Sequence, residues 1–295
     1  MIEERYRELK AAEKGAVISI LAYILIAVLK LTVGVWADSS ALRADGLNNF
    51  TDIIASLAVL IGLRLARRPA DDDHRYGHWK VETVASMVTS FIMVVVGGQV
   101  LISSIKAFLN HTTTSPDPIA AYVGVFSAVL MLGVYLYNRN LAKRVNSQAL
   151  LAAAKDNLSD AYTSIGTAIA ILAASFNWHW LDNGAALVVG LIIIKTGLEV
   201  FSESAFSLSD GFSEEEIETY RKDILAIPGI IDVADIRGRT YGANIFLDVV
   251  VLMDGDMTVE ESHDITEQIE IMLSIKYKVF DTDVHVEPYK EESDS

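Results

Sequence analysis

The sequence has 295 residues, of which 52% are hydrophobic, and its mean hydropathy of +0.33 is high for a soluble enzyme. A formal net charge of -15 makes the chain a poor binder of nucleic acid, and the absence of cysteine excludes disulfides and thiolate metal sites. Any bound metal must therefore have oxygen or imidazole ligands. The charged N-terminus lacks the apolar core and small-residue cleavage site of a removable signal peptide.

Six apolar segments are each long enough to cross a bilayer, whose hydrocarbon core of about 30 Å needs about 20 apolar residues per helix. They are predicted at about 16–37, 42–65, 84–108, 119–137, 150–176 and 185–206. Lys and Arg are concentrated at the N-terminus and in the second and fourth loops, whereas the stretches WADSS, NHTTTSPDP and NWHWLDN contain neither. Because cytoplasmic loops collect Lys and Arg, both termini are predicted to face the cytosol, in a multi-pass protein of the inner or plasma membrane.

The pattern changes after Phe206, where a small α+β domain is predicted. A capping box at Ser213 begins a helix to about Leu225, and a second capping box at Thr258 begins a helix to about Ile275. Strands are predicted at about 231–237, 244–253 and 279–286. The order αββαβ indicates a two-layer domain with its helices on one sheet face.

The predicted domains are therefore a six-helix transmembrane domain over residues 1–211 and a cytosolic domain over residues 212–295. A domain as small as the second has a modest core. Pairing with a second copy of the chain would stabilise it, so a homodimer is expected.

A short polar repeat in the second and fifth helices is the most informative feature. The segments NNFTD and DNLSD, each followed by a serine four residues later, share the pattern [N/D]-N-apolar-[S/T]-D-x-x-x-S. Since positions i and i+4 lie on one helix face, Asn48 with Asp52 and Asp156 with Asp160 form two pairs of oxygen ligands. If the two faces meet, the four side chains converge on one point.

Three carboxylates in a bilayer cost several kcal/mol each unless an opposite charge compensates them, and a divalent cation supplies that charge. The alternative is that these groups only form hydrogen bonds between helices. Carboxylate and amide oxygens are hard ligands that suit Mn²⁺, Mg²⁺ or Ca²⁺, whereas Zn²⁺ sites usually recruit imidazole or thiolate. Manganese is therefore the favoured substrate, with zinc as the alternative and no prosthetic group. Protons compete for the same carboxylates, which is a basis for exchange of metal against protons.

A second cluster lies in the loop after the second helix, in the segment DDDHRYGH. Asp71, His74 and His78 could hold another cation at the cytosolic surface. An acidic loop beside arginines is as readily a solvated turn with salt bridges.

At these residues the sequence resembles the cation diffusion facilitator family, whose members export divalent metals as homodimers. The resemblance spans nearly the whole chain and implies a metallochaperone-like cytosolic domain. It implies that Asn48, Asp52, Asp156 and Asp160 form a tetrahedral transport site, reached alternately from the cytosol and the exterior. It also matches the loop residues to a second site. Zinc members typically carry His in one or both leading positions, so Asn48 and Asp156 are similar to the manganese branch.

The cytosolic domain departs from the family pattern. Zinc and iron members bind metal there through several histidines, whereas the matching strand positions in this sequence are Ala234 and Val250. His263, His285 and Glu287 remain as weak candidates for a cytosolic metal site, and the alternative is that they are ordinary surface polar groups.

Other charged residues are predicted to have structural roles rather than to bind the metal. Lys80 and Asp210 resemble a charge interlock that fastens the membrane and cytosolic parts across the family's dimer. A surface ion pair adds little stability, so its role would be to fix the geometry of the two parts. Lys30 is expected to extend its ammonium group to the membrane interface. Asp45 lies on the helix face of Asn48 and Asp52 and is expected to shape the outer mouth of the site.

The favoured function is thus a proton-coupled manganese exporter that spans the lipid bilayer. The alternatives are a zinc, iron or cadmium exporter of the same fold, a passive cation channel, or a membrane-anchored metal sensor. A channel usually lines a continuous pore with polar rings, whereas the polar residues here form one closed cluster. An enzyme is not expected, because the sequence has no nucleophile with a paired base, no glycine-rich phosphate loop and no HExxH motif.

Overall fold

The computed structural model describes residues 2–37, 40–109, 119–175 and 179–290, and it divides into two compact units, Ile2–Ser204 and Ala205–Ser295. Six long helices come first: α1 Ile2–Trp36, α2 Ser40–Ala66, α3 Lys80–Leu109, α4 Ile119–Val145, α5 Gln148–Ser175 and α6 His179–Leu208. The remaining elements are α7 Glu214–Leu225, β1 Ile230–Tyr241, β2 Asn244–Met253, α8 Val259–Tyr277 and β3 Asp281–Pro288.

The helices extend beyond the predicted apolar segments. The first helix begins at Ile2 rather than near Ala16, because the Glu, Lys, Arg, Leu and Ala residues of the N-terminal segment are strong helix formers. Within the described residues, α1 to α4 are long and apolar enough to cross a membrane. Crossing by α5 and α6, and so the total of six spans, stays a prediction.

The helical unit carries apolar side chains on its outside and polar ones inside. On α1, Leu21, Leu25 and Val28 are 61%, 55% and 55% exposed, whereas Ser19 and Lys30 of the same helix are fully buried. An exposed apolar stripe of this kind would be unfavourable in water but is at no disadvantage in hydrocarbon. The predicted helical transmembrane domain is confirmed.

Close packing of small residues holds α2 against α3. A Cβ atom added at Gly62 of α2 would lie 2.3 Å from the Cβ of Ala85 in α3, so only glycine fits there. Within a bilayer, where apolar burial gives helices little reason to associate, such close van der Waals packing is a main source of stability. α1 contacts α2, α4 and α5, and α5 contacts α2, α3 and α4, so α1, α2 and α5 all touch one another.

The second unit confirms the predicted order αββαβ. Its three-stranded sheet has the order β1-β2-β3, in which β1 and β2 are antiparallel and β2 and β3 are parallel. The parallel pair requires a crossover, which α8 supplies. α7 contacts β1 and α8 contacts β3, and the shared core includes Ile224, Val249, Val251 and Leu273.

Both predicted helix starts of this unit have their caps. The Ser213 side chain accepts from the backbone N–H of Glu216 at 3.4 Å. Thr258 forms a complete capping box: its hydroxyl accepts from the Glu261 N–H at 3.2 Å, while the Glu261 carboxylate accepts from the Thr258 N–H at 2.8 Å. Each bond satisfies a backbone donor that would otherwise lack a partner at the helix end.

Candidate metal-binding site

The structure brings together the three aspartates of the repeated motif. Asp52 of α2 and Asp156 and Asp160 of α5 each offer a carboxylate oxygen, and these oxygens lie within 4.8 Å of one another. All three residues are buried, with 2%, 7% and 5% exposure. A cation between them would have three anionic oxygen ligands, a set that suits a hard divalent metal.

Asn48, the fourth predicted ligand, is half-buried one helical turn before Asp52. Its Nδ2 lies 3.5 Å from Oδ2 of Asp52. A half-turn about the last side-chain bond exchanges Nδ2 and Oδ1, so the same position can present the amide oxygen to a cation.

Tyr23 of α1 is a site residue that sequence reasoning missed. It is fully buried, and its hydroxyl donates a hydrogen bond to Oδ2 of Asp160 and lies 3.5 Å from Oδ2 of Asp156. The hydroxyl in turn accepts from Nδ2 of Asn157 at 3.0 Å. An isolated tyrosine within the apolar part of α1 carries no periodic signal, so only the packing of α1 against α5 reveals its position.

Lys30 of α1 is the second missed residue, and the expectation that it reaches the membrane interface is wrong. Its side chain has 0% exposure, and Nζ lies 3.0 Å from Oδ1 of Asn49, 3.0 Å from Oγ of Ser164 and 2.9 Å from Oδ2 of Asp45. Asn49 and Ser164 accept hydrogen bonds from the ammonium group, and the Asp45 carboxylate forms an ion pair with it. Burial is tolerated because the Asp45 carboxylate balances the charge.

A further polar cluster continues from Tyr23 between α1, α4 and α5. Oδ1 of Asn157 accepts from Oγ of Ser19 at 3.1 Å and from Nδ2 of Asn138 at 2.9 Å, and Nδ2 of Asn138 also donates to Oγ of Ser19 at 2.8 Å. Since the oxygen of Asn157 is bound to donors, its NH₂ group is directed to Tyr23.

The loop between α2 and α3 brings together the second predicted group. Asp71, His74 and His78 each have a ligand atom within 4.8 Å of the others: Oδ1 of Asp71 is 3.1 Å from Nδ1 of His74, and its Oδ2 is 3.4 Å from Nε2 of His78. The backbone N–H groups of His74 and Asp73 bind Oδ1 of Asp71 at 2.7 and 3.1 Å. The hydrogen bond from the His74 backbone holds the pKa of the Asp71 carboxyl below its usual value.

The weaker candidates in the cytosolic unit do not form a comparable group. Nε2 of His285 lies 3.6 Å from Oε1 of Glu287 on β3, and His263 belongs to α8. Among the described residues, the groups of three or more acidic or histidine side chains that could hold a metal are the two described above. Val250, one of the strand positions where a histidine is absent, is the register partner of His285 on β2, so β2 offers no metal ligand directly beside His285.

The interlock residues lie in the two different units. Lys80 is the first residue of α3, and Asp210 follows α6 with a positive φ of 58°. Their pairing stays a prediction.

A membrane domain of helices that buries three clustered carboxylates, followed by a small α+β domain, defines an integral membrane protein that carries cations. The family model for the cation efflux transmembrane domain matches residues 16–209, and that for the cation efflux protein cytoplasmic domain matches residues 212–289. The chain belongs to the cation efflux family, known also as the cation diffusion facilitators. It is a metal-cation efflux transporter of a membrane, and the predictions of family, transport function and a non-enzymatic role are confirmed.

Three curated relatives from Bacillus subtilis strain 168 match almost end to end. The manganese efflux system protein MneS is 49% identical over 288 residues, 98% of this chain and 99% of its own length. The uncharacterized transporter YdbO is 45% identical over 285 residues, 97% and 98% of the two chains. The manganese efflux system protein MneP is 32% identical over 292 residues, 95% and 97% of the two chains.

Proposed function

We propose that this protein exports Mn²⁺ from the cytosol in exchange for protons, and that Asn48, Asp52, Asp156 and Asp160 bind the metal. The observation that carries the proposal is the group of three buried carboxylates within 4.8 Å of one another. The names of MneS and MneP, two full-length relatives, support manganese as the substrate.

The ligand types support manganese over zinc. Each of the four proposed ligands offers oxygen, and neither cysteine nor histidine belongs to the group. Zn²⁺ is usually held by imidazole or thiolate, whereas Mn²⁺ accepts carboxylate, carbonyl and water oxygens. A zinc, iron or cadmium exporter remains the alternative on the same fold, and the ratio of initial fluxes distinguishes them.

Charge provides the physical reason for coupling to protons. If all three carboxylates were ionised, the empty site would hold three negative charges, of which a dication would balance two. Once the metal leaves, an empty site of this charge is costly in a bilayer unless protons replace the metal. Protons and Mn²⁺ then alternate on the same oxygens, which links efflux of the metal to inward movement of protons.

The proposal also includes the membrane topology, the domain division and the oligomeric state. We infer six membrane crossings with both termini in the cytosol, domains of residues 1–211 and 212–295, and a homodimer. Basic N-terminal, second and fourth loops support the orientation, and the match to the cytoplasmic domain family supports the domain division and the homodimer. Lys80 and Asp210 would fasten the two parts across that dimer.

Two accessory metal sites are also proposed, and the structure gives more support to the one in the loop. Asp71, His74 and His78 would bind a cation at the cytosolic surface, supported by the distances within the loop. His263, His285 and Glu287 are the candidates in the cytosolic domain, where Ala234 and Val250 replace strand histidines, and a purely structural role is the alternative.

The test is Mn²⁺ flux into proteoliposomes or inside-out vesicles, with and without an imposed pH gradient. A pH gradient, with protons concentrated on the side that receives the metal, should accelerate Mn²⁺ uptake. Zn²⁺, Fe²⁺ and Cd²⁺ should be transported more slowly at equal concentration. Mn²⁺ flux that does not respond to the gradient would reject antiport, and faster Zn²⁺ flux would reject the assignment of the metal.

A further inference from the structure

α1 provides one partner for each half of the repeated motif. Tyr23 and Lys30 are seven residues apart, which is two helical turns, so they lie on the same face of α1. Tyr23 is hydrogen-bonded to Asn157, and Lys30 is hydrogen-bonded to Asn49. These asparagines occupy equivalent positions in the motif, each three residues before the aspartate that closes it.

The direction of the hydrogen bonds beside Asp52 is fixed by Lys30. An ammonium group only donates, so the Asn49 amide must turn its oxygen to Lys30, at 3.0 Å. The NH₂ group of Asn49 then faces Asp52 and donates to its Oδ2 at 2.9 Å. Lys30 therefore determines that Asp52 faces the NH₂ group of Asn49 rather than its oxygen. Among the hydrogen bonds described, none joins Lys30 directly to Asp52.

The same logic applies beside Asp160. The oxygen of Asn157 is bound by Ser19 and Asn138, so its NH₂ group donates to the Tyr23 hydroxyl at 3.0 Å. That hydroxyl has one proton, which it donates to Oδ2 of Asp160. The order of the two partners differs between the halves: Asn49 binds Oδ2 of Asp52 with Lys30 behind it, whereas Tyr23 binds Oδ2 of Asp160 with Asn157 behind it. In both halves Oδ1 carries none of these bonds.

We propose that Lys30 and Tyr23 are positioning residues of the metal site: they orient Asp52 and Asp160 so that each offers one oxygen to the cation. This inference rests on the proposed function. Partners behind metal ligands typically change metal affinity by about 10- to 100-fold when removed, because they fix the orientation of the ligand before the metal binds. α1 is thus the third helix of the site, beside α2 and α5.

The test variants must not leave a buried charge without its partner. Lys30 pairs with Asp45 at 2.9 Å, so Lys30→Met alone would leave an unpaired buried carboxylate. The pair Lys30→Met with Asp45→Asn removes both charges together. Tyr23→Phe removes a single oxygen atom, and Asn49→Ala removes the connecting amide. Thr32→Val on α1 is the matched control, because the Thr32 hydroxyl donates only to carbonyls of its own helix, at 2.8 and 3.0 Å, among the described bonds.

The experiment measures initial Mn²⁺ flux against Mn²⁺ concentration in proteoliposomes of the full chain. We expect Tyr23→Phe and Lys30→Met/Asp45→Asn to raise KM about 10-fold or more and to change the maximal rate less than about threefold. Adding Asn49→Ala to Lys30→Met/Asp45→Asn should raise KM no further, because both act through one amide. Thr32→Val should match the wild type.

A reduced maximal rate with unchanged KM would overturn the inference, since it would mean that the residues only support the packing of the bundle. Independent, multiplicative effects of Asn49→Ala and Lys30→Met/Asp45→Asn would overturn the relay through Asn49. Asp160→Asn, measured in parallel, separates this inference from the proposed function: if that variant still transports Mn²⁺ normally, the transport site itself is wrong.

Discussion

Asp52 of α2 and Asp160 of α5 occupy equivalent positions of the repeated motif, and their carboxylate oxygens lie within 4.8 Å of each other in the buried interior. Two negative charges at that distance repel by at least about 3 kcal/mol at an effective dielectric constant of about 20. With Asp156 beside them, the group favours any process that brings positive charge to it. Metal ions and protons are the two sources that a transporter can use.

Removal of one carboxylate should abolish export. We expect Asp160→Asn, which keeps the shape of the side chain, to reduce Mn²⁺ flux more than about 100-fold, beyond the range typical of residues that act behind a ligand. The loss follows because one fewer charge offsets the desolvation of the dication. Flux in proteoliposomes is the measurement, with size-exclusion chromatography to verify folding. Proton-driven Mn²⁺ transport at the wild-type rate would show that the site lies elsewhere.

The neutral ligand Asn48 should influence selectivity. Asn48→His supplies an imidazole nitrogen at the same helical position, and imidazole favours tetrahedral Zn²⁺ over Mn²⁺. We expect the ratio of initial Zn²⁺ flux to Mn²⁺ flux to rise, with a new pH dependence near the ordinary imidazole pKa of about 6.5. Both ions are measured in the same proteoliposomes. An unchanged ratio with both ions still transported would exclude Asn48 as a ligand.

The loop site should depend on the charge of Asp71. Asp71→Asn keeps an oxygen that can accept from the backbone of His74 and Asp73, but it removes the negative charge. We expect equilibrium dialysis to find one Mn²⁺ fewer per protomer, while Mn²⁺ flux falls far less than in Asp160→Asn. An unchanged stoichiometry would mean that the loop is only a solvated turn.

The lowered pKa of Asp71 sets the sign of the pH effect. Its bonds to the loop backbone contribute fully above the unfolded pKa of about 3.9, and they are lost as pH falls through the lower folded-state pKa. Hydrogen exchange at the His74 amide, corrected for its intrinsic rate, should therefore keep the same protection from pH 7 to pH 5. Loss of protection within that range would contradict the assigned cause.

Packing of α2 against α3 should be sensitive to one methyl group. Gly62→Ala introduces a Cβ at 2.3 Å from that of Ala85, and we expect a destabilisation of about 1–3 kcal/mol, seen as a lower melting temperature in detergent. Gly133→Ala on α4 is the control, since nothing lies within 4 Å of its added Cβ. Equal melting temperatures for the two variants would contradict the close approach.

The orientation in the membrane can be tested because the chain contains no cysteine. A single cysteine at Thr113, in the segment 110–118 outside the described residues, should react with an impermeant maleimide added to intact cells. A cysteine at Ser213 should react only after the membrane is opened. Labelling of Ser213 from outside would reverse the proposed topology.

Local patterns in the sequence were sufficient for the features that depend on neighbouring residues. The four-residue spacing of Asp156 and Asp160 predicts a shared helix face wherever the helix lies, and the capping residues Ser213 and Thr258 mark helix starts through bonds only three residues long. The alternation of the strands and the cap signals together gave the order αββαβ, since each signal is contained within a few residues.

Only the tertiary structure decided which helices meet. Tyr23 and Lys30 belong to the apolar second half of α1, and their partners Asn157 and Asn49 are 134 and 19 residues away. A lone lysine in an apolar segment can reach the interface or find a buried carboxylate, and the sequence pattern is the same in both cases. The packing of α1 against α2 and α5 selects the buried carboxylate, because it encloses Lys30 in an ion pair with Asp45 and gives its ammonium group hydrogen bonds to Asn49 and Ser164.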